Sequence, residues 1–305
     1  MHRDLLSEPH IGSYSAFLLL GLVAGYLLLR WRAVRVGIRG SHVDNLGLLI
    51  AVASLFGARF FSWLFYFPSG ISLWSALTSV GGGMVFYGGV VFGVAAALLY
   101  ARLARVPIAT LLDAGTPALA LGLAIGRVGC YLAGCCWGDL CVSNAQLAKL
   151  PDSAIARQVQ TFPSLSKPTF PLSVSFPGDT GAFRQHHELG LIDANAARSL
   201  PVHPVQLYEA VLALLLCAGL HWRFHQRRWP GQVACWFAFG YAGIRFLTEY
   251  FRADNSPEYW GFTLSQVISL LIAALGLSAV LWHRNSQPVY GTEAPTCAPN
   301  PNAGT

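Results

Sequence analysis

The sequence predicts an all-α integral membrane protein with about seven transmembrane helices. Of its 305 residues, 54% are hydrophobic and only 11% are charged, and the mean hydropathy is positive. A soluble protein of this length needs more polar surface than this composition supplies. A helix needs roughly 20 apolar residues to span about 30 Å of hydrocarbon. Windows of this kind fall at residues 13–30, 45–66, 83–101, 108–129, 205–223, 233–252 and 262–282.

The segment 139–202 differs from these windows because proline, serine and charged residues recur along it. We expect an outward-facing loop or small head between helices four and five, with a short helix around 182–189. The proline-rich tail from residue 286 is expected to be disordered. The predicted units are therefore helices one to four (1–138), the periplasmic loop or head (139–202), helices five to seven (203–285) and the cytoplasmic tail (286–305).

Basic residues follow predicted spans one, three, five and seven, which places them all on one side of the membrane. They are Arg30, Arg32, Arg35, Arg39, Arg102, Arg105, Arg223, Arg227, Arg228 and Arg284. Because Lys and Arg collect on cytoplasmic loops, this side is predicted to be cytoplasmic, with the N-terminus and the head outside. The same distribution accounts for the net charge of +6 without a nucleic-acid partner. The first apolar segment lacks a signal-peptide pattern and is predicted to be a retained helix.

Three arginines fall within or at the ends of predicted spans: Arg59, Arg127 and Arg245. A charge at the bilayer centre costs about 2.5–3.5 kcal/mol, so each should face the bundle interior and have a partner. The alternative, strongest for Arg59, is that the side chain snorkels to the interface. Polar residues recur at i, i+3, i+4 and i+7 on one face of span six, namely Arg245, Thr248, Glu249 and Arg252.

The predicted topology brings polar groups from four spans to one outer depth, which suggests a cavity open to the outer leaflet. Span three supplies a glycine-rich segment with Tyr87, Gly88 and Gly89. Such glycines serve either close helix packing or a broken helix whose amides bind an anion, and both alternatives stay open. Spans four and five supply Arg127, His203, Gln206, Tyr208 and Glu209.

Four of the seven cysteines cluster at the outer end of span four: Cys130, Cys135, Cys136 and Cys141. An oxidising compartment favours a structural disulfide. Adjacent Cys135 and Cys136 can hardly bond to each other without strain, so Cys130 or Cys141 is the expected partner. Free or redox-active thiols and a metal site are the alternatives, but the segment has no paired CxxC motif. We therefore expect no metal and no cofactor.

The same segment, GRVGCYLAGCCWG at 126–138, resembles the GRxGNFxNGExxG signature of bacterial prolipoprotein diacylglyceryl transferases. Three more segments resemble family motifs in the same order: GGMVFYGG (82–89), HPVQLYEA (203–210) and GYAGIRFLTEYFR (240–252). The resemblance covers roughly residues 10–285. It implies transfer of diacylglycerol from phosphatidylglycerol to the lipobox cysteine of a prolipoprotein, with release of glycerol phosphate. The implied location is the bacterial cytoplasmic (inner) membrane, with membrane lipids and the prolipoprotein signal peptide as partners.

The resemblance also implies roles for individual residues. Arg127 and Arg245 match family arginines that could clamp the lipid phosphate, with Glu249 orienting Arg245. The predicted catalytic residues are Arg127, Arg245, Tyr87, His203 and Glu249. The predicted substrate-binding residues are Gly88, Gly89, Gln206, Tyr208, Glu209, Arg252 and Arg59.

This chain departs from the family pattern at four positions, with Tyr87 for histidine, Cys130 and Ala133 for asparagines, and Cys135 for glutamate. Loss of the histidine removes a base suited to neutral pH, since tyrosine has a pKa near 10. Tyr87, His203 or Glu209 could take that role. A divergent paralogue with another lipid donor or acceptor is one alternative function. A non-catalytic lipid-binding protein or transporter is the other, although no internal repeat is evident.

Overall fold

The computed structural model describes residues 4–6, 11–66, 71–78, 85–141, 172–193, 195–252 and 261–283, apart from the side chains of residues 4–6, 11, 86, 87 and 282. These residues are almost entirely helical, with one short antiparallel pair of strands, β1 (Asp4–Leu6) and β2 (Ile11–Gly12). The helices are α1 (Ser13–Arg35), α2 (Gly40–Tyr66), α3 (Leu73–Thr78), α4 (Phe86–Leu103), α5 (Ile108–Ala133), α6 (Gly181–Glu188), α7 (Val205–Phe224), α8 (Gln232–Glu249) and α9 (Leu264–His283).

Five of these helices are long and apolar enough to cross a membrane: Ser13–Arg35, Gly40–Tyr66, Ile108–Ala133, Val205–Phe224 and Leu264–Leu281. Large apolar side chains on their surfaces are exposed, for example Leu48 (69%) and Leu275 (70%). A water-soluble protein rarely exposes so much contiguous apolar surface. The chain is therefore a multi-pass membrane protein.

The other two predicted spans coincide with α4 and α8. Neither of these helices is both long and apolar enough to be identified as a membrane span. The described apolar part of α4, Gly88–Leu103, is shorter than a full span. Helix α8 carries Arg245 and Glu249 within its 18 residues, which lowers its hydropathy. It also ends at Glu249, three residues before the end of the predicted window. Within the described residues, length and composition identify five spans, and the other two stay a prediction.

Helix α5 lies at the centre of the bundle and packs against α1, α7 and α8, while α9 packs on α8. Helices α2 and α4 form a separate close pair. Their contact is built around Gly57 and Gly88, because a Cβ on either would collide with the backbone carbonyl of the other. Small residues allow such close helix approach in membranes.

A small head packs on the C-terminal end of α5. Its buried core consists of Leu140, Phe176, Ala182, Leu191 and Val202. Helix α6, Gly181–Glu188, matches the short helix expected around 182–189. Within this core His186 is fully buried, and burial lowers its pKa to about 4. Residues 142–171 of the predicted head and the predicted tail from 286 lie outside the described residues.

Candidate active site

Glu209 lies at the centre of a network of charged side chains. It is in the second turn of α7 and its side chain is 3% exposed. Its carboxylate pairs with Nε of Arg127 from α5 and accepts a hydrogen bond from Nη1 of Arg245 on α8, at 2.8 Å. Thr248 Oγ1 donates to the same carboxylate at 3.0 Å. Three helices are thus joined through one buried carboxylate, which meets the requirement that buried charges be paired.

Glu249 is a second buried carboxylate, one helical turn after Arg245. Arg245 Nη2 donates to Glu249 at 2.9 Å, the geometry that i, i+4 spacing on a helix provides. Arg252 Nε lies 4.0 Å from the same carboxylate. The network therefore holds three arginines and two glutamates, a formal charge of +1 at one end of the bundle.

Helix α9 contributes residues that sequence analysis did not select. Thr263 Oγ1 donates to Glu249 at 2.9 Å, and Ser265 Oγ accepts from Arg245 at 3.1 Å. A capping box positions this helix start, because Thr263 N–H donates to Gln266 Oε1 and Gln266 N–H donates to Thr263 Oγ1. The T-x-x-Q pattern before an apolar run was the signal that could have identified this turn.

Arg252 does not share the face of α8 that its i+7 spacing predicted, because α8 ends at Glu249. It instead lies in the turn that follows the helix, where its N–H donates to the Glu249 carbonyl at 3.2 Å, and it forms an isolated β-bridge with Gly138. Asp139, another residue that sequence analysis did not select, donates its N–H to the Phe251 carbonyl at 2.8 Å. Its own carbonyl accepts from His203 N–H at 3.0 Å. The turn after α8 and the backbone pairing with Gly138 thus bring Arg252 to the site.

His203 and Gln206 lie at the start of α7, beside the network. His203 is 8% exposed, its Nδ1 lies 3.3 Å from the Tyr208 hydroxyl, and its ring packs edge-on against Phe251. Burial lowers the pKa of His203, which keeps the imidazole neutral at pH 7. Gln206 is almost fully buried and donates from Nε2 to the Cys135 carbonyl at 2.7 Å.

The cysteine segment folds back on the end of α5. Gly134 caps this helix in the left-handed region (φ 67°), and Cys135 N–H donates to the Cys130 carbonyl at 3.1 Å. Cys136 also has a positive φ of 57°. The Sγ atoms of Cys130, Cys135 and Cys136 converge to within 4.8 Å of one another.

The structure holds these three residues as free cysteines, and the disulfide that sequence analysis favoured stays a prediction. Interaction with the neighbouring Cys130 and Cys135 thiols holds the pKa of Cys136 well below its usual range, and Arg252 and Arg127 nearby lower it further. Cys141 lies outside this cluster of three cysteines. It is fully buried, and its N–H donates to the Pro201 carbonyl.

The glycines predicted to bind substrate serve the contact between α2 and α4. Gly88 and Gly89 are buried there, facing the Gly57 and Ser54 carbonyls. This is the close-packing alternative, and their role in substrate binding stays a prediction. Arg59 lies on α2, which packs mainly on α4. The Tyr87 side chain and Gly81 to Gly83 lie outside the described residues.

The chain is similar to known proteins over most of its length. The family model for prolipoprotein diacylglyceryl transferase matches residues 5–282. Proteins named phosphatidylglycerol–prolipoprotein diacylglyceryl transferase are similar over most of their length. The one from Clostridium tetani is 25% identical, over 88% of this chain and 91% of its own length. Those from Cereibacter sphaeroides and Pectobacterium carotovorum are 30% and 29% identical, over 88% of this chain and 90% and 89% of their own lengths. With a match over nearly the whole chain, this protein belongs to the prolipoprotein diacylglyceryl transferase family.

Proposed function

We propose that this protein transfers the diacylglyceryl group of phosphatidylglycerol to the lipobox cysteine thiol of prolipoproteins, in lipoprotein maturation. The family match and the names of the relatives support this transferase activity. The observation that carries the proposal is the network of Arg127, Glu209, Arg245 and Glu249, which fixes two guanidinium groups at one end of the bundle.

The two arginines act as a clamp for the lipid phosphate. Glu209 is contacted by Nε of Arg127 and by Nη1 of Arg245, so both side chains are held by the same carboxylate. We propose that the terminal Nη groups of Arg127 donate hydrogen bonds to the phosphate oxygens. A phosphodiester carries one negative charge, which would neutralise the formal +1 of the network. Donors fixed before the reaction stabilise the charge that develops on the leaving phosphate.

Proton removal from the acceptor thiol is assigned to His203 rather than to Glu209. Glu209 forms an ion pair with Arg127 and accepts hydrogen bonds from Arg245 and Thr248, and these contacts make it an orienting group. His203 is neutral because burial lowers its pKa, so it can accept a proton. His203→Gln is expected to lower kcat by about 10²-fold or more. Tyr87→Phe tests the competing phenol, and a comparable loss with Tyr87→Phe but none with His203→Gln would reverse the assignment.

We also propose that the chain crosses the bacterial cytoplasmic membrane seven times, with α4 and α8 as the additional spans. The N-terminus and the head then face outward and the C-terminus is cytoplasmic. The basic C-terminal ends of α1 and α7 lie at the same end of the bundle, since Arg32 on α1 lies 2.6 Å from His221 on α7. This arrangement supports the proposed orientation. Labelling of single cysteines introduced at Arg35 and at Asp179 tests it, because only the second should react with an impermeant reagent from the periplasm.

The decisive experiment measures transfer of labelled diacylglycerol from phosphatidylglycerol to a lipobox peptide by the purified protein. Arg245→Ala should reduce transfer by about 10²–10³-fold, the usual effect of removing one charge-stabilising donor. Arg35→Ala is the matched control, since it removes an arginine from the opposite end of the bundle. Absence of transfer by well-folded wild-type protein would instead indicate another lipid donor or acceptor.

A further inference from the structure

The three cysteines that replace or adjoin the family's asparagine and glutamate positions form a compact sulfur cluster. Cys130 is in the last turn of α5, and the left-handed cap at Gly134 reverses the chain so that Cys135 and Cys136 return to it. Their three Sγ atoms lie within 4.8 Å of one another. The backbone, therefore, already holds the side chains in a converging arrangement.

Three converging thiols fit the geometry of a thiolate metal site. Zinc–sulfur bonds are about 2.3 Å long, so sulfurs in a tetrahedral site are separated by about 3.8 Å. Shifts of about 1 Å or less would bring these sulfurs from their present spacing to that distance. A pairwise disulfide, by contrast, leaves the third thiol of the cluster without a covalent partner.

The charges around the cluster also favour a bound thiolate complex. Three thiolates and one Zn²⁺ have a summed charge of −1. Arg127 and Arg252 are close enough to Cys136 to interact with it electrostatically. Both guanidinium groups are positively charged, so they favour a negatively charged thiolate complex beside them.

We propose that Cys130, Cys135 and Cys136 bind one Zn²⁺ ion as three thiolate ligands and leave its fourth position open for the acceptor thiol. Catalytic zinc sites commonly have three protein ligands and one exchangeable position. The metal site itself rests on the sulfur geometry alone. Its use by the acceptor thiol rests on the proposed transferase function.

In the transfer step the acceptor S–H proton passes to His203, the base proposed above, as the sulfur ligates the metal. The sulfur lone pair then forms the C–S bond to the glyceryl carbon. The C–O bond to the phosphate breaks, and glycerol phosphate leaves with that electron pair beside Arg127. Metal coordination thus supplies an activated nucleophile in a chain whose family histidine is replaced by Tyr87.

Metal binding is tested on full-length protein purified in detergent under reducing conditions and dialysed against Zn²⁺. We expect one zinc per chain by elemental mass spectrometry, and a thiolate-to-metal charge-transfer band when Co²⁺ replaces it. Cys136→Ala should abolish both signals. Cys217→Ala, which changes a cysteine of α7 outside the cluster, should change neither. Equal zinc content in wild type and Cys136→Ala, or a Cys130–Cys135 disulfide in peptide maps of unreduced protein, would overturn the site.

Transfer activity is measured separately on the same preparations. Zinc removal by a chelator should lower transfer by at least about tenfold, and added Zn²⁺ should restore it in the wild type and in Cys217→Ala only. A protein that binds zinc at the cluster but transfers equally well without it would refute the catalytic part and keep the metal site. Failure of transfer with and without zinc would contradict the proposed function instead.

Discussion

The two ends of the helix bundle hold their buried arginines in different ways. At the site end, the carboxylates of Glu209 and Glu249 contact Arg127 and Arg245 directly. At the opposite end, which we call the basic end (Arg30, Arg32, Arg35, Arg223 and Arg227), Arg32 is 2% exposed and stacks on the Phe224 ring at 4.1 Å. Two of its nitrogens, Nε and Nη2, have no hydrogen-bond partner among the described residues.

The buried carboxylate of Asp113 at the basic end has a different role. Asp113 is fully buried and accepts backbone N–H bonds from Gly231, Val233 and Ala234, so it caps the start of α8 from another helix. Arg227 lies 3.9 Å from it. Paired carboxylates orient guanidinium groups for a ligand, whereas aromatic faces only accommodate them. This difference explains why we place catalysis at the site end and helix fixation at the basic end.

Glu209→Gln should have the largest effect, because it removes the anionic partner of two buried arginines. Breaking a buried ion pair costs about 3–5 kcal/mol of folding free energy. We also expect transfer to fall by about 10²-fold or more as the clamp loses its orientation. Thermal unfolding and transfer assays measure the two effects. The exposed pair of Arg30 and Asp44 at the basic end provides the control, and Asp44→Asn should leave both measurements unchanged.

Asp113→Ala should destabilise the protein by about 2–4 kcal/mol, since backbone donors at the start of α8 lose their acceptor. Transfer per folded molecule should stay near the wild-type value, because the substitution is at the basic end. Denaturant unfolding and kcat of the folded fraction separate the two. Asp113→Asn keeps one acceptor oxygen and should recover part of the stability. A large loss of kcat with unchanged stability would contradict the assignment of catalysis to the site end alone.

Acid should destabilise the head at the site end before the basic end. His186 has a folded-state pKa of about 4 against an ordinary value of 6.5. Above pH 6.5 both states are neutral and stability is unaffected. As the pH falls from 6.5 to 4, the unfolded state binds a proton at His186 that the folded state does not bind. The folding free energy of the protein therefore decreases in magnitude by about 3 kcal/mol. Hydrogen exchange in Gly181–Glu188 measures this, and His186→Gln should remove the pH dependence.

Arg35→Ala at the basic end should have the smallest effect. Its guanidinium lies 3.7 Å from the centre of the Trp31 ring, at an exposed position. An exposed cation–π contact contributes about 0.5–1 kcal/mol. Thermal unfolding should therefore shift only slightly, and transfer should not change. A loss of transfer comparable to that of Arg245→Ala would show that the basic end takes part in the reaction.

Predictions based on local spacing agreed with the structure where one helix carries both partners. The contact between Arg245 and Glu249 follows from their i, i+4 spacing. The same reasoning failed for Arg252, because it assumed that α8 continues beyond Glu249. Sequence spacing also does not show how a left-handed cap at Gly134 brings the thiols of Cys130, Cys135 and Cys136 together.

The sequence by itself determined that the chain is a helical membrane protein of the diacylglyceryl transferase family. Composition, apolar windows and ordered motifs can be read from the sequence alone. Because a helix rises by a fixed distance per residue and the bilayer has a known thickness, the apolar windows directly predict membrane-spanning helices. Only the tertiary structure decided that Glu209 bridges Arg127 and Arg245, that Thr263 reaches Glu249, and that three sulfurs converge beyond α5. These contacts join residues far apart in the chain, so they depend on how the helices pack and on where each helix ends.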